Sequence, residues 1–156
     1  MRIERKLSKV SLYETLLYFG LMFILINGTV FLFTFVKGNP RLLLYGSSWL
    51  IQFVFPLTLA ILQNYINRNG ILKLTEFDNP KTLLEKVELP INRSFKKVVK
   101  GSGDFKYLKK TKLARFFNFF FREDVQIKAT DDKIMVYAKR GLLDSIEMKV
   151  RFGKNN

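Results

Sequence analysis

The chain has no cysteine and no histidine. That excludes disulfides, zinc sites built from thiolate or imidazole, cysteine nucleophiles and imidazole acid–base catalysis. Charge is missing from two long stretches. Leu16 to Val36 and Leu43 to Ile66 contain no Lys, Arg, Asp or Glu, so the ionisable groups that usually mark an ion or proton path through a membrane are missing there as well. No glycine-rich phosphate loop opens a helix, and no acidic or basic triad with catalytic spacing occurs. The chain reads as a non-enzyme without cofactor or metal.

The two uncharged runs themselves are the strongest positive signal. At 1.5 Å per helical residue each reaches the roughly 30 Å of a bilayer's hydrocarbon core. The connection between them carries Gly38, Asn39 and Pro40, residues that suit a turn and cannot prolong the first helix. The expected organisation is a basic N-terminal segment over 1–15, a two-helix transmembrane hairpin over 16–66, a linker over 67–70 and a basic domain over 71–156. The first run is too long for a signal-peptide core and lacks a small-x-small exit, so a retained span is expected. Both flanks are basic, with Arg2, Arg5, Lys6 and Lys9 ahead of the first run and Arg68 and Lys73 beyond the second. The positive-inside bias then places both termini in the cytoplasm. Compactness and Lys, Phe and Asn usage suggest a bacterial inner membrane.

Polar residues in the runs point to a packing stripe. Gly20, Asn27 and Thr34 recur every seven residues on the first helix, and Ser48 and Gln52 begin a comparable stripe on the second. The expectation is an Asn27 to Gln52 amide contact with Gly20 allowing close approach, and a kink at Pro56.

The net charge of the whole chain is +14. From Asn67 onward there are twenty-one Lys and Arg against eleven Asp and Glu, and this length suffices for one modest core. Asn79 and Pro80 open a helix that Pro90 is expected to stop. Phe95 to Val99 and Phe105 to Leu108 read as a hairpin, with Phe95 opposite Lys110 and Val99 opposite Lys106. Val125 to Ala129 and Ile134 to Ala138 alternate apolar and polar around Asp131 and Asp132, a register that pairs Ile127 with Val136. Leu142, Leu143, Ile146 and Val150 have helical spacing. The fold class expected is a transmembrane α-helical hairpin followed by a small α+β domain, with an antiparallel sheet of about four strands and helices on one face.

Two features suggest contact surfaces. Arg93, Lys96, Lys97, Lys100, Lys106, Lys109, Lys110, Lys112 and Arg115 face the single acid Asp104 over one short stretch. Such a field near an inner leaflet attracts anionic headgroups at roughly 1 kcal/mol per cation. The run from Leu113 to Arg122 holds five phenylalanines, of which Phe119 and Phe121 are expected to widen an interfacial helix face beside Arg122. The resulting expectation is a scaffold, adaptor or regulatory subunit whose partners are an anionic phospholipid surface and a membrane protein or second copy. An oligomeric channel or transporter subunit and a tethered nucleic-acid binder are the alternatives, the latter disfavoured by the lack of stacking aromatics beyond Phe105 and Tyr107.

Overall fold

The computed structural model describes residues 1–36, 50–101, 103–121 and 123–153. Contacts divide the chain into two compact units, Val10–Ile66 and a second formed by Met1–Lys9 with Asn67–Asn156.

The first unit is helical. Helix α1 spans Leu12–Val36, and its partner begins as a π-helical segment, Leu50–Val54, that continues into α2, Phe55–Asn67. Two helices, Leu12–Val36 and Leu50–Asn67, are long and apolar enough to cross a membrane. Ile24, Phe35, Phe53 and Leu62 are among many large apolar side chains that stay exposed. What the pair buries is partly polar: Glu14, Tyr18 and Thr34 from α1, Pro56, Ala60 and Asn64 from α2. Asn64 is fully buried, and its Nδ2 donates to the Ser11 carbonyl and to Thr15 Oγ1, both at 2.6 Å.

Asn27 and Gln52 do meet, through a different atom from the one the sequence suggested. Asn27 Nδ2 donates to the Phe23 carbonyl at 2.9 Å and to the backbone carbonyl of Gln52 at 3.3 Å. Pro56, four residues on, has no N–H and so brings no backbone donor of its own to this stretch. Gly20 is not a close-approach position, because a Cβ built there meets nothing within 4 Å. Thr34 turns its hydroxyl to the Phe31 carbonyl at 2.9 Å. The turn residues Gly38, Asn39 and Pro40, together with Ser48, lie outside the described residues.

The second unit contains six strands, not four. They are β1 (Arg2–Leu7), β2 (Asn69–Thr75), β3 (Phe95–Gly101), β4 (Asp104–Lys109), β5 (Val125–Ala129) and β6 (Lys133–Lys139). Their order in the sheet is β1-β2-β6-β5-β4-β3, and every neighbouring pair is antiparallel. The two additional strands fall where the sequence suggested an N-terminal segment and a linker. Ile3 and Leu7 alternate with charged residues and share their face with Arg5, so a core-facing arginine hides the period. Gly70, which the sequence places in a linker, pairs within the sheet with Leu7 and Ala138, and a Cβ there would press on the Leu7 and Leu143 side chains at 2.7 and 2.9 Å.

One face of the sheet is covered by helix α3 (Pro80–Ser94) and α5 (Arg140–Phe152). Asn79 caps α3, its side chain accepting from the backbone of Lys81 and Thr82. The helix does not stop at Pro90. Leu83, Val87 and Ile91 lie on one stripe and are buried, and that packing outweighs the roughly 3 kcal/mol that an internal proline costs. Leu143, Ile146 and Val150 of α5 complete the core with Leu72, Leu74, Tyr107, Val125, Ile127, Ile134 and Val136. The β5–β6 register is Ile127↔Val136 and Ala129↔Ile134, as the alternation implies. The β3–β4 register is displaced by one residue from expectation, with Phe95↔Lys109 and Val99↔Phe105. Burial decides it: Phe95 and Tyr107 are both buried, and only this register puts them on the same face.

A candidate contact surface at one end of the sheet

The ladder registers define two ends. Leu7 pairs with Gly70 and Gly70 with Ala138, while Ser8 N–H donates to the Asn69 carbonyl and Arg140 N–H to the Arg68 carbonyl. Tyr107 pairs with Val125, and Lys110 N–H donates to the Ser94 carbonyl. These residues mark the end at which the chain leaves for residues 10–66 and returns from them. Around it gather Lys9, Arg68, Lys109, Lys110, Lys112, Arg115, Lys139 and Arg140, against Glu123 and Asp124.

The opposite end is different. Its turns carry Glu76 and Asp78 after β2, Asp131 and Asp132 between β5 and β6, and Asp104 at the start of β4, and the adjoining element ends bring Arg2, Lys81 and Lys133 beside them, so charges of both signs mix here. Gly103 holds φ +82° in the β3–β4 turn, where a Cβ would strike the Ala129 carbonyl oxygen. The Thr130 hydroxyl donates to Asp132 at 2.8 Å, and that bond holds the exposed carboxyl below its ordinary range. Lys149 and Arg151 stand in the last turn of α5 at this end, with Arg151 paired to Glu147 at 2.8 Å.

Helix α4 (Lys112–Phe121) belongs to the basic end. Thr111 caps it, its Oγ1 accepting from Ala114 N–H. Ala114, Asn118 and Phe121 recur at i, i+4 and i+7 and are half-buried, whereas Lys112, Leu113, Arg115 and Phe116 are exposed. Leu113 is 69% and Phe116 62% exposed. Asn118 fastens the helix to the next segment, donating to Asp124 at 2.7 Å and accepting from Glu123 N–H at 2.6 Å. An amphipathic helix with an outward leucine and phenylalanine between cations has the composition of an interfacial helix.

The nine cations that the sequence groups together are dispersed by the fold. Lys97 reaches Glu88 at 2.7 Å and stands 3.9 Å over the Phe105 ring. Lys109 pairs with Glu123 at 2.7 Å and lies over the Phe95 ring, and Lys106 pairs with Asp124 at 3.0 Å. Lys96 is exposed near the basic end, on the sheet face away from α3 and α5. Arg93 is exposed in the last turn of α3, on the outer side of the helical layer. Lys110, Lys112 and Arg115 remain together on the basic end. Phe121 is half-buried, about 140° around the helix from the exposed Phe116, so among the described side chains of the run the outward aromatic is Phe116. Arg122 lies outside the described residues, as do the side chains of Lys100 and Phe119. Lys139 and Arg140 join this end without any local sequence signal, because β6 delivers them beside Asn69 and Arg68 from far along the chain.

Tyr107 and Phe105 face the helical layer. The Tyr107 hydroxyl donates to Glu88 Oε1 at 2.6 Å, the same oxygen that accepts from Lys97. Burial and the adjoining Glu88 push this phenol well above the usual tyrosine range. Among the described residues no group of three or more acidic side chains is placed to hold a metal ion.

Comparison with protein-family models, with curated proteins and with solved structures finds no match. The functional reading therefore rests on this chain's own surfaces.

Proposed function

We propose that the protein is a two-pass membrane protein whose sheet unit sits on the cytoplasmic, anionic leaflet and serves as a non-catalytic adaptor. The observation that carries the reading is the coincidence, at one end of the sheet, of three features. The chain passes there into and out of the uncharged helices, the cations accumulate there, and α4 turns Leu113 and Phe116 outward there. Pairing of Leu7 with Gly70 brings the departing and returning chain side by side, which suits a hairpin whose two ends emerge on one side of a bilayer. Basic flanks favour the cytoplasmic side. The far end mixes acidic turns with cations at the adjoining element ends, so an anionic surface attracts it less than the basic end.

A channel reading is less well supported. A lumen needs polar side chains free to face it, whereas Asn27, Thr34 and Asn64 donate to carbonyls within the helical pair.

Hydrogen exchange of the full chain in nanodiscs tests the docking. On anionic lipid, the α4 amides and those of 109–112 should exchange more slowly than on neutral lipid, and high salt should remove the difference. Equal exchange on the two lipids would defeat the reading. Orientation is tested separately. Because the chain has no native cysteine, single cysteines at Ser8, Ser47 and Thr130 report sidedness with an impermeant maleimide. Labelling of Ser47 alone from outside is expected, and labelling of Thr130 from outside would reverse the topology.

A further inference from the structure

The outer side of the helical layer carries a surface that the fold leaves open. Helix α3 runs from the acidic end of the sheet to the basic end, and α5 runs back. Their inner stripes are buried in the core. On the outside, Leu89, Met148 and Phe152 are 54%, 65% and 77% exposed. With Pro90 they border a groove of about 450 Å³ whose remaining lining includes Arg93 and Lys149. No lining residue, among those described, is acidic.

We propose that this groove docks an amphipathic helix of a partner protein, one whose apolar stripe is flanked by acidic residues. A third helix fits between two packed helices by setting its side-chain ridge into the groove between them, with anchors at i, i+3, i+4 and i+7. Three large apolar side chains in one concavity supply the anchor sites, and such clusters carry most of the energy at interfaces. Arg93 and Lys149 select the sign of the partner's flanks. A second copy of this chain is the wrong occupant, because a two-fold contact groove to groove brings together two linings that each hold Arg93 and Lys149 and, among the described residues, no acid, a like-charge arrangement that interfaces avoid. The proposal rests on the adaptor half of the function above and not on lipid docking.

The test uses the full chain in nanodiscs of neutral lipid, where headgroup attraction is absent. Two fluorescent peptides of about four helical turns serve as probes, one with a leucine stripe and glutamate elsewhere, the other with lysine replacing each glutamate. Anisotropy should show saturable binding of the glutamate peptide and none of the lysine peptide. Met148→Asp and Leu89→Ser should each weaken binding at least tenfold, while Phe116→Ser, on another surface, leaves it unchanged. Joint Arg93→Glu and Lys149→Glu replacement should reverse the preference toward the lysine peptide, which a merely unfolded variant would not do. Equal binding of the two peptides, no saturable binding, or indifference to Met148→Asp would overturn the proposal. A photoreactive residue at position 148 adds a second readout. Crosslinks to a second copy or to lipid would also overturn it.

Discussion

The helical unit and the sheet unit differ in where most of their polar side chains find partners. In the helical unit, Asn27, Thr34 and Asn64 each donate to a backbone carbonyl, Asn64 to the Thr15 hydroxyl as well. In the sheet unit, polar side chains bond one another, as with Lys97, Tyr107 and Glu88, and the remaining charge stays outside where solvent is available. A polar residue in the first unit therefore reports mainly on contact with the helix backbone. A polar residue in the second reports on surface contact, and its position on the sheet decides which contact.

The largest expected effect tests the surface side of that contrast. Replacing Lys9, Lys112 and Arg115 together by glutamine should weaken binding of the full chain's sheet unit to anionic lipid by about two orders of magnitude, at roughly 1 kcal/mol per cation. The readout is the salt concentration at which α4 loses its exchange protection on anionic nanodiscs. Replacing Asp131 and Asp132 at the other end should leave that concentration unchanged or raise it. Equal losses from the two ends would mean that overall charge, not its placement, governs the contact.

The next effect concerns the buried side-chain network. Tyr107→Phe removes one of the two side chains that donate to Glu88 Oε1 among the described residues, and should cost about 1–2 kcal/mol, read from denaturant unfolding. Because the phenol's range is raised in the folded state, its contribution is fully present below the ordinary tyrosine range near pH 10 and is lost as pH rises beyond it. The wild-type protein should thus lose stability in alkali faster than Tyr107→Phe does. Parallel alkaline unfolding curves would remove Tyr107 from that role.

How much of this was legible in the sequence follows from the kind of signal each element left. The uncharged runs and the β5–β6 alternation were plain, since both depend on uninterrupted local pattern. Strand β1 was hidden because Arg5, which faces the helical layer and pairs with Asp144 and Glu147 of α5, stands where an apolar residue would complete the period. Pro90 misled for a related reason: local stop chemistry gave way to the burial of Ile91 one residue on. The candidate surface was half legible. Lys110, Lys112 and Arg115 stood in one visible run, but Lys139 and Arg140 join them only through the six-strand order. In the phenylalanine run the outward residue was unreadable, because five like residues in six positions cannot define a stripe; the inward side was marked instead by Ala114 and Asn118.

The smallest effect is the most diagnostic for the helical unit. Asn27→Leu should cost less than about 1 kcal/mol, since hydrogen bonds between helices in a bilayer average near that size or below. If Asn27 acts by supplying the donor that Pro56 lacks, then Pro56→Ala restores a backbone N–H to the Gln52 carbonyl and makes the amide redundant. In the Pro56→Ala background, Asn27→Leu should then cost nothing. The double-mutant cycle measures this coupling directly, with unfolding followed in mixed micelles. Additive losses would show that Asn27 serves its own Phe23 carbonyl and that the approach to Gln52 carries no energy. A coupling close to the whole single-mutant cost would establish that this pair of helices is registered by one proline and the asparagine that compensates it.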